Sequence, residues 1–196
     1  MRMQKLTRED LYSLENYAGV RDKFRSEVIE HKRNRRLELG ANAALYFEDR
    51  MTMQYQIQEM LRIEKIFEAD GINEEIEAYN PLIPDGSNWK ATFMIEFPEL
   101  EERQLMLKQL VDIENRVFVQ IGDIEKSYAI ADEDLARSDE TKTSAVHFLR
   151  FELNDEMVAA LKGGARLSAG IDHDKYQVHI SPVAENIRLS LLGDLD

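Results

Sequence analysis

The sequence predicts an α+β protein, in which helices and an antiparallel-rich sheet occupy different parts of the chain. Residues 1–80 carry mainly helical patterns around one short hairpin, and residues 89–196 alternate strand-like and short helical segments. Between them, residues 80–88 hold two prolines and an Asp-Gly pair, which disfavour both helix and strand. A chain of 196 residues is long enough for one well-cored domain. We therefore expect the two regions to form one compact domain.

A long helix opens the first region. Thr7 is suited to cap it, and Glu9 and Asp10 place negative charge beside the positive end of the helix dipole. The basic run at residues 32–36 suits the last turn, where cations complement exposed carbonyls. The pattern therefore predicts a helix over residues 7–36. Its expected buried stripe consists of Tyr17, Val20, Phe24 and Val28.

A hairpin over residues 36–47, with Gly and Asn in its turn, precedes a second helix. Residues 51–58 alternate apolar and polar side chains as a strand does, whereas the spacing from Ile57 onward is helical. Strong helix formers and the length of the segment favour a helix over residues 51–68, capped by Asp49. Its expected apolar stripe consists of Met53, Ile57, Met60, Ile63 and Phe67.

The second region contains two predicted strand–helix–strand–strand units, written β-α-β-β. We expect the two units to form one antiparallel-rich sheet with helices on one face, against which the N-terminal helices and hairpin pack. In the first unit the elements are predicted at residues 89–97, 98–113, 116–121 and 126–130. In the second they are predicted at residues 146–153, 154–162, 165–171 and 176–180, and a last helix follows at residues 182–192.

Composition excludes several classes of function. The chain has no cysteine, which removes disulfides, thiolate nucleophiles and the usual iron–sulfur ligands. The net charge is −13, and residues 66–196 hold 12 basic against 27 acidic side chains, so we expect no nucleic acid or anionic membrane as partner. No apolar run reaches the roughly 20 residues of a membrane span. Residues 1–7 lack an apolar signal core, so we expect a cytoplasmic location.

Polar side chains interrupt the apolar stripes of the two N-terminal helices. A buried polar group without a partner costs about 1–3 kcal/mol, so we expect the helices to pack with these groups in contact. The cluster is either a pocket for a small anionic molecule or a structural network that holds the helices in register. In a pocket, arginine would hold the anion and His31 or a glutamate would transfer protons. The candidate ligand-binding residues are Arg21, His31, Gln56, Glu59, Arg62 and Glu64.

The sequence identifies no catalytic residue and no cofactor. It has no glycine-rich phosphate loop at the start of a helix and no nucleophile elbow. A dedicated metal site is not expected, because the repeated Glu-x-x-His spacing of di-iron bundles is missing. A weak alternative is a metal held by Glu27, His31, Glu59 and Glu64.

Five segments within the first 64 residues resemble one bacterial family. They are Leu6-Thr7-Arg8-Glu9-Asp10-Leu11, Arg21, His31-Lys32, Phe47-Glu48-Asp49-Arg50 and Gln56-Ile57-Gln58-Glu59-Met60-Leu61-Arg62. The family is known only as domain of unknown function 3501, and the resemblance extends over essentially the whole chain. It implies no catalytic roles. Its members tend to be encoded beside rubrerythrin-like di-iron proteins and iron–sulfur oxidoreductases, which implies a part in redox or oxidative-stress metabolism.

Two functional hypotheses follow. The first is a non-enzymatic accessory protein of a redox system, with rubrerythrin-like or iron–sulfur proteins as partners and a partner surface within residues 1–65. The second is a small-ligand binder or enzyme that uses the polar cluster between the two helices. The sequence leaves the oligomeric state and the question of enzymatic activity open.

Overall fold

Two antiparallel sheets and six α-helices make up residues 5–196, the part of the chain that the computed structural model describes. The expected α+β class is confirmed. The helices are α1 (Leu14–Arg33), α2 (Arg50–Glu64), α3 (Ala69–Tyr79), α4 (Leu100–Gln109), α5 (Asp155–Lys162) and α6 (Glu185–Leu192). The strands are β1 (Arg36–Glu38), β2 (Ala43–Glu48), β3 (Asn88–Ile95), β4 (Val117–Ile121), β5 (Ser127–Tyr128), β6 (Ile130–Ala131), β7 (Val146–Glu152), β8 (Leu167–His173) and β9 (Tyr176–Ile180).

The strands of the two β-α-β-β units lie in two sheets rather than one. The first sheet has the order β1-β2-β3-β7-β6 and the second the order β5-β4-β8-β9. The segment predicted as one strand over residues 126–130 changes sheet at the buried Ala129, because β5 pairs with β4 whereas β6 pairs with β7. The alternation of apolar and polar residues predicts where strands lie, but not which distant strands they pair with. The N-terminal hairpin joins the first sheet through β2 and β3, so the two regions of the chain share that sheet.

The main hydrophobic core fills the space between the two sheets. Alternate residues of the first sheet, such as Leu45 and Phe93, are buried in the same cluster as Val119 and Ala169 of the second. Trp89 is also fully buried, and its indole N–H donates to the Leu191 carbonyl at 2.9 Å. This bond fixes α6 against the core.

The N-terminal helices form a second, smaller apolar cluster, and their boundaries differ from the prediction. Thr7 caps only a 3₁₀ turn at Arg8–Asp10, and α1 begins at Leu14 after the cap Ser13. The chain between them is held by Gln58, whose side-chain amide bonds both the N–H and the carbonyl of Tyr12. The second apolar cluster contains Leu6, Met53, Ile57, Leu61, Ile76 and Ile83.

Helix α2 ends earlier than predicted. Lys65 turns the chain in the left-handed conformation, with φ of 56°, and α3 begins at Ala69. Ile63 and Phe67, which the sequence placed on the buried stripe, are therefore 61% and 72% exposed. Leu61 takes the buried position instead.

No helix within residues 5–196 combines the length and the apolar character needed to cross a bilayer. The interpretation that the chain start lacks a signal core rests largely on Met1–Gln4, which lie outside the described residues.

Candidate ligand pocket

The outer face of the first sheet, opposite the core, carries a row of charged residues. Glu48, Lys90 and Arg150 lie directly opposite one another on β2, β3 and β7. Side chains alternate along a strand, so these three point away from the core to which their neighbours Phe47 and Trp89 belong. The chain that leaves α3 covers part of this face.

A pocket of about 280 Å³ lies between this row and the end of α3. Aromatic, aliphatic and charged side chains all line it. The lining residues are Ala78, Tyr79, Pro81 and Leu82 from the chain at the end of α3, Glu133 and Asp134 from the loop after β6, and Lys90, Phe148, Leu149 and Arg150 from the sheet.

Lys90 is the chemically unusual group of this pocket. It is half-buried, and no hydrogen-bond acceptor or ion-pair partner within residues 5–196 engages its ammonium group. Its neighbour in the row, Glu48, instead accepts hydrogen bonds from the hydroxyls of Thr52 and Thr92 at 2.7 and 2.8 Å. Burial lowers the pKa of Lys90, and the like charge of Arg150 lowers it further.

The other charges of the pocket are paired. Arg150 binds both carboxylate oxygens of Glu133 at 2.7 Å. At the rim, Arg137 binds Asp134, with Nη2 to Oδ2 at 2.6 Å, and its guanidinium stacks 4.6 Å from the ring centroid of Phe148. The ammonium of Lys90 is therefore the pocket charge that lacks a direct counter-ion.

Three of the sequence-predicted residues do meet between α1 and α2. Arg21 donates two hydrogen bonds to Glu59, at 2.8 and 2.9 Å, and Arg62 donates a third at 3.1 Å. The hydroxyl of Tyr17 also donates to Glu59 at 2.7 Å. The hydrogen bond from Arg21 is the main reason that the pKa of Glu59 falls to about 2. These contacts occupy both carboxylate oxygens, so the cluster matches the structural network that the sequence left open.

The remaining predicted ligand residues lie apart from that cluster. His31 Nε2 lies 2.5 Å from Asp49 Oδ2, in the last turn of α1 and away from Arg21. Gln56 is half-buried without a bond to Arg21 or His31, and Glu64 is exposed at the end of α2, so the structure does not bring the six predicted residues together. Glu27 is exposed and pairs with Lys23, and Glu27, His31, Glu59 and Glu64 are not among the described residues whose ligand atoms lie close enough together to share a metal ion.

A buried charge network that the sequence did not predict lies where α1 meets β1. Arg35 is only 2% exposed and binds both oxygens of Asp194, at 3.2 and 2.5 Å. Its Nε donates to the Phe47 carbonyl at 3.0 Å. Burial raises the pKa of Asp194 to about 6, although the charge of Arg35 opposes this rise. Hydrogen bonding from His31 and the charge of Arg35 outweigh burial at Asp49, whose pKa is lowered.

A second cluster that the sequence did not predict lies at the loop between β6 and β7. His147 is fully buried on the core face of β7, and its Nδ1 lies 2.6 Å from Asp132 Oδ2. Its Nε2 lies 2.8 Å from the hydroxyl of Thr143, which donates to Glu114 at 3.1 Å. Glu114, Asp132 and His147 could together hold a metal ion by distance alone. The Thr143 hydroxyl bridges His147 and Glu114, so the arrangement is satisfied by its own hydrogen bonds.

The fold and the pocket together define the class of protein. It is an α+β protein in which two sheets enclose one core and a small, partly apolar pocket lies on the outer face of one sheet. The chain belongs to the family described as protein of unknown function DUF3501, whose model matches residues 5–195. It is similar to a crystal structure described as a novel protein of unknown function from Burkholderia pseudomallei. The two share 52% identity with a TM-score of 0.93, over 98% of this chain and 100% of the other. None of the curated proteins matches the chain.

Proposed function

We propose that the protein binds a small molecule that carries one anionic group, such as a carboxylate, on an apolar body. The observation that carries this proposal is the half-buried ammonium of Lys90, which lacks a counter-ion while the neighbouring charges are paired. A ligand anion would supply that counter-ion through a charge-assisted hydrogen bond. Partial burial makes such a bond stronger than a pair on the open surface.

The shape of the pocket sets the size and the rest of the ligand chemistry. A volume of about 280 Å³ lies near the lower end of the range for small-molecule sites, about 300–1,000 Å³. Tyr79, Leu82 and Phe148 offer apolar and aromatic surface beside Lys90. We infer a metabolite-sized carboxylate with an apolar or aromatic portion rather than a dinucleotide.

The sequence predicted the anion site between the two helices, whereas this proposal places it on the sheet. Arg21 is already bound to Glu59 and is not available for a ligand. The redox accessory role, its rubrerythrin-like or iron–sulfur partners and the cytoplasmic location stay predictions from the resemblance and the composition. The two ideas are separable. The pocket lining contains no residue from 1–65, where the partner surface was predicted, so a Lys90 variant should retain any such complex.

The test is thermal unfolding with benzoate and hexanoate as probes and uncharged benzyl alcohol as the control ligand. We expect the wild-type Tm to rise with benzoate or hexanoate concentration, as ligand linkage requires, and to stay unchanged with benzyl alcohol. Lys90→Met should remove the rise. Without ligand this variant should be at least as stable as wild type, because burial disfavours the ammonium that it replaces.

Lys108→Met is the matched control, since Lys108 is exposed on α4 and remote from the pocket lining. It should respond to the carboxylates as wild type does. An equal rise in Lys90→Met, or no rise with either carboxylate at millimolar concentration, would overturn the proposal.

A further inference from the structure

We propose that Lys90 is a reactive amine that condenses with the carbonyl group of a small aldehyde or 2-oxo acid in this pocket. The inference rests on the proposed function, because it places the ligand in the same cavity. It adds a reaction to binding and identifies the atom that carries it.

The geometry distinguishes Lys90 from other lysines of the chain. Lys5 Nζ donates to the carbonyls of Asn80 and Ile83, at 2.6 and 3.1 Å. Lys126 Nζ lies 2.7 Å from Asp172. By contrast, the Lys90 side chain lines a pocket and makes no such bond within residues 5–196. Its nitrogen can therefore approach a bound carbonyl carbon without first breaking a contact.

An amine attacks a carbonyl only in its neutral form, because the nitrogen lone pair must be available. Two features favour that form at Lys90. Burial lowers its pKa, and the charges of Arg150 and Lys5 act in the same direction; the carboxylates of Glu133 and Asp85 oppose this shift but do not reverse it. Desolvation next to another cation is the arrangement that activates lysines for imine formation in general.

The step is balanced without an oxidant or a reductant. The Lys90 nitrogen forms a bond to the carbonyl carbon, the π electron pair moves to oxygen, and a proton passes from nitrogen to that oxygen. Loss of the resulting hydroxyl as water, assisted by a solvent proton, leaves a protonated carbon–nitrogen double bond.

Two carboxylates line the pocket where this cation would form. The hydrogen bond from Arg150 lowers the pKa of Glu133, and that from Arg137 lowers the pKa of Asp134 to about 2. Both groups therefore stay negatively charged at neutral pH. Glu133, whose charge already acts on Lys90, is placed to stabilise the protonated imine through its charge.

Reductive trapping tests the proposal. The protein is incubated at pH 7 with glyoxylate and sodium cyanoborohydride, and adducts are assigned by peptide mass spectrometry over time. We expect Lys90 to be modified several-fold faster than the exposed Lys108, although Lys90 is the less accessible of the two. The difference should shrink above pH 10, where ordinary lysines also become neutral. Modification of Lys90 no faster than Lys108 at pH 7 would overturn the inference.

Two measurements on the wild type separate this inference from the proposed function. Benzoate carries a carboxylate but no aldehyde or ketone group, so stabilisation by benzoate reports anion binding alone, whereas the fast adduct with glyoxylate reports the reactive amine. Benzoate stabilisation of wild type without fast modification of Lys90 would leave anion binding standing and remove the reactive amine. Fast modification of Lys90 without stabilisation by any carboxylate would leave the reactive amine standing and remove anion binding.

Discussion

At the scale of single residues, Glu59 and Lys90 are both partly buried charged groups, but their surroundings have opposite effects on the charge. Glu59 is surrounded by donors from Tyr17, Arg21 and Arg62, and its charge is stabilised. Lys90 has a cation as its neighbour, and its charge is disfavoured. The first arrangement strengthens a fold and the second leaves a group available for a ligand.

Glu59 should make stability depend on pH in a defined window. Its pKa is about 2 in the folded protein and 4.5 ordinarily, so the folded state binds the proton less readily. The stabilisation is present above pH 4.5 and is lost as the pH falls towards 2. Urea unfolding between pH 2 and 6 should show a smaller decline in unfolding free energy for Glu59→Gln than for wild type. Glu77→Gln, on the exposed side of α3, should follow wild type; equal slopes for the Glu59 variant and wild type would contradict this account.

Lys90 could not be identified as a candidate from the sequence. It stands at one of the polar positions of a predicted strand, where a solvated lysine is ordinary. Its character depends on Arg150 of β7, which is distant in sequence, and on how the connector after α3 folds over the sheet, which no local pattern shows. The contact of Arg21 with the second helix was predictable, because a polar residue on an apolar stripe must find a partner, and Glu59 was one of the candidate partners.

At the scale of elements, the segment before α1 shows how a side chain can decide where a helix begins. The Gln58 amide is completely buried on α2 and bonds the backbone N–H and carbonyl of Tyr12, at 2.6 and 3.3 Å. Thr7 has the right chemistry for a cap, but its turn ends at Asp10. The hairpin and the existence of α2 were predictable from local pattern. The late start of α1 depends on this long-range contact and was not.

Replacing Gln58 with Met should loosen this segment. The variant leaves the N–H and carbonyl of Tyr12 without their partner, and we expect a loss of about 1–3 kcal/mol of unfolding free energy. Amide hydrogen exchange at Tyr12 should become faster while exchange in the middle of α2 changes little. Gln56→Met is the matched control, since Gln56 lies on the same helix without that bond. Similar losses in both variants would show that the Tyr12 contact is not the cause.

At the scale of the whole molecule, Arg35 connects parts of the chain that are distant in sequence. It follows α1 directly and binds Asp194, which follows α6, while the carbonyls of Phe47 and Glu48 accept its other donors. Arg35 belongs to the basic run at residues 32–36 that the sequence assigned to the last turn of the first helix, yet nothing local pointed to a partner 159 residues away.

Removing one member of this pair should cost more than removing both. Arg35→Met leaves Asp194 buried without its cation, and we expect a loss of about 3–5 kcal/mol. Adding Asp194→Asn to Arg35→Met removes one stranded charge and should restore part of that loss. Urea unfolding of the two single variants and the double variant measures the coupling. Strictly additive losses would mean that the two side chains stabilise the fold independently.

The change of sheet at Ala129 has a mechanical consequence. Ser127 and Tyr128 are bound into one layer and Ile130 and Ala131 into the other, with a single residue between them. The backbone therefore links the two sheets directly, and a link of one residue cannot lengthen. Sliding of one sheet over the other at this edge would have to break the pairing of β5 or β6, so the crossover restrains the relative movement of the two sheets there.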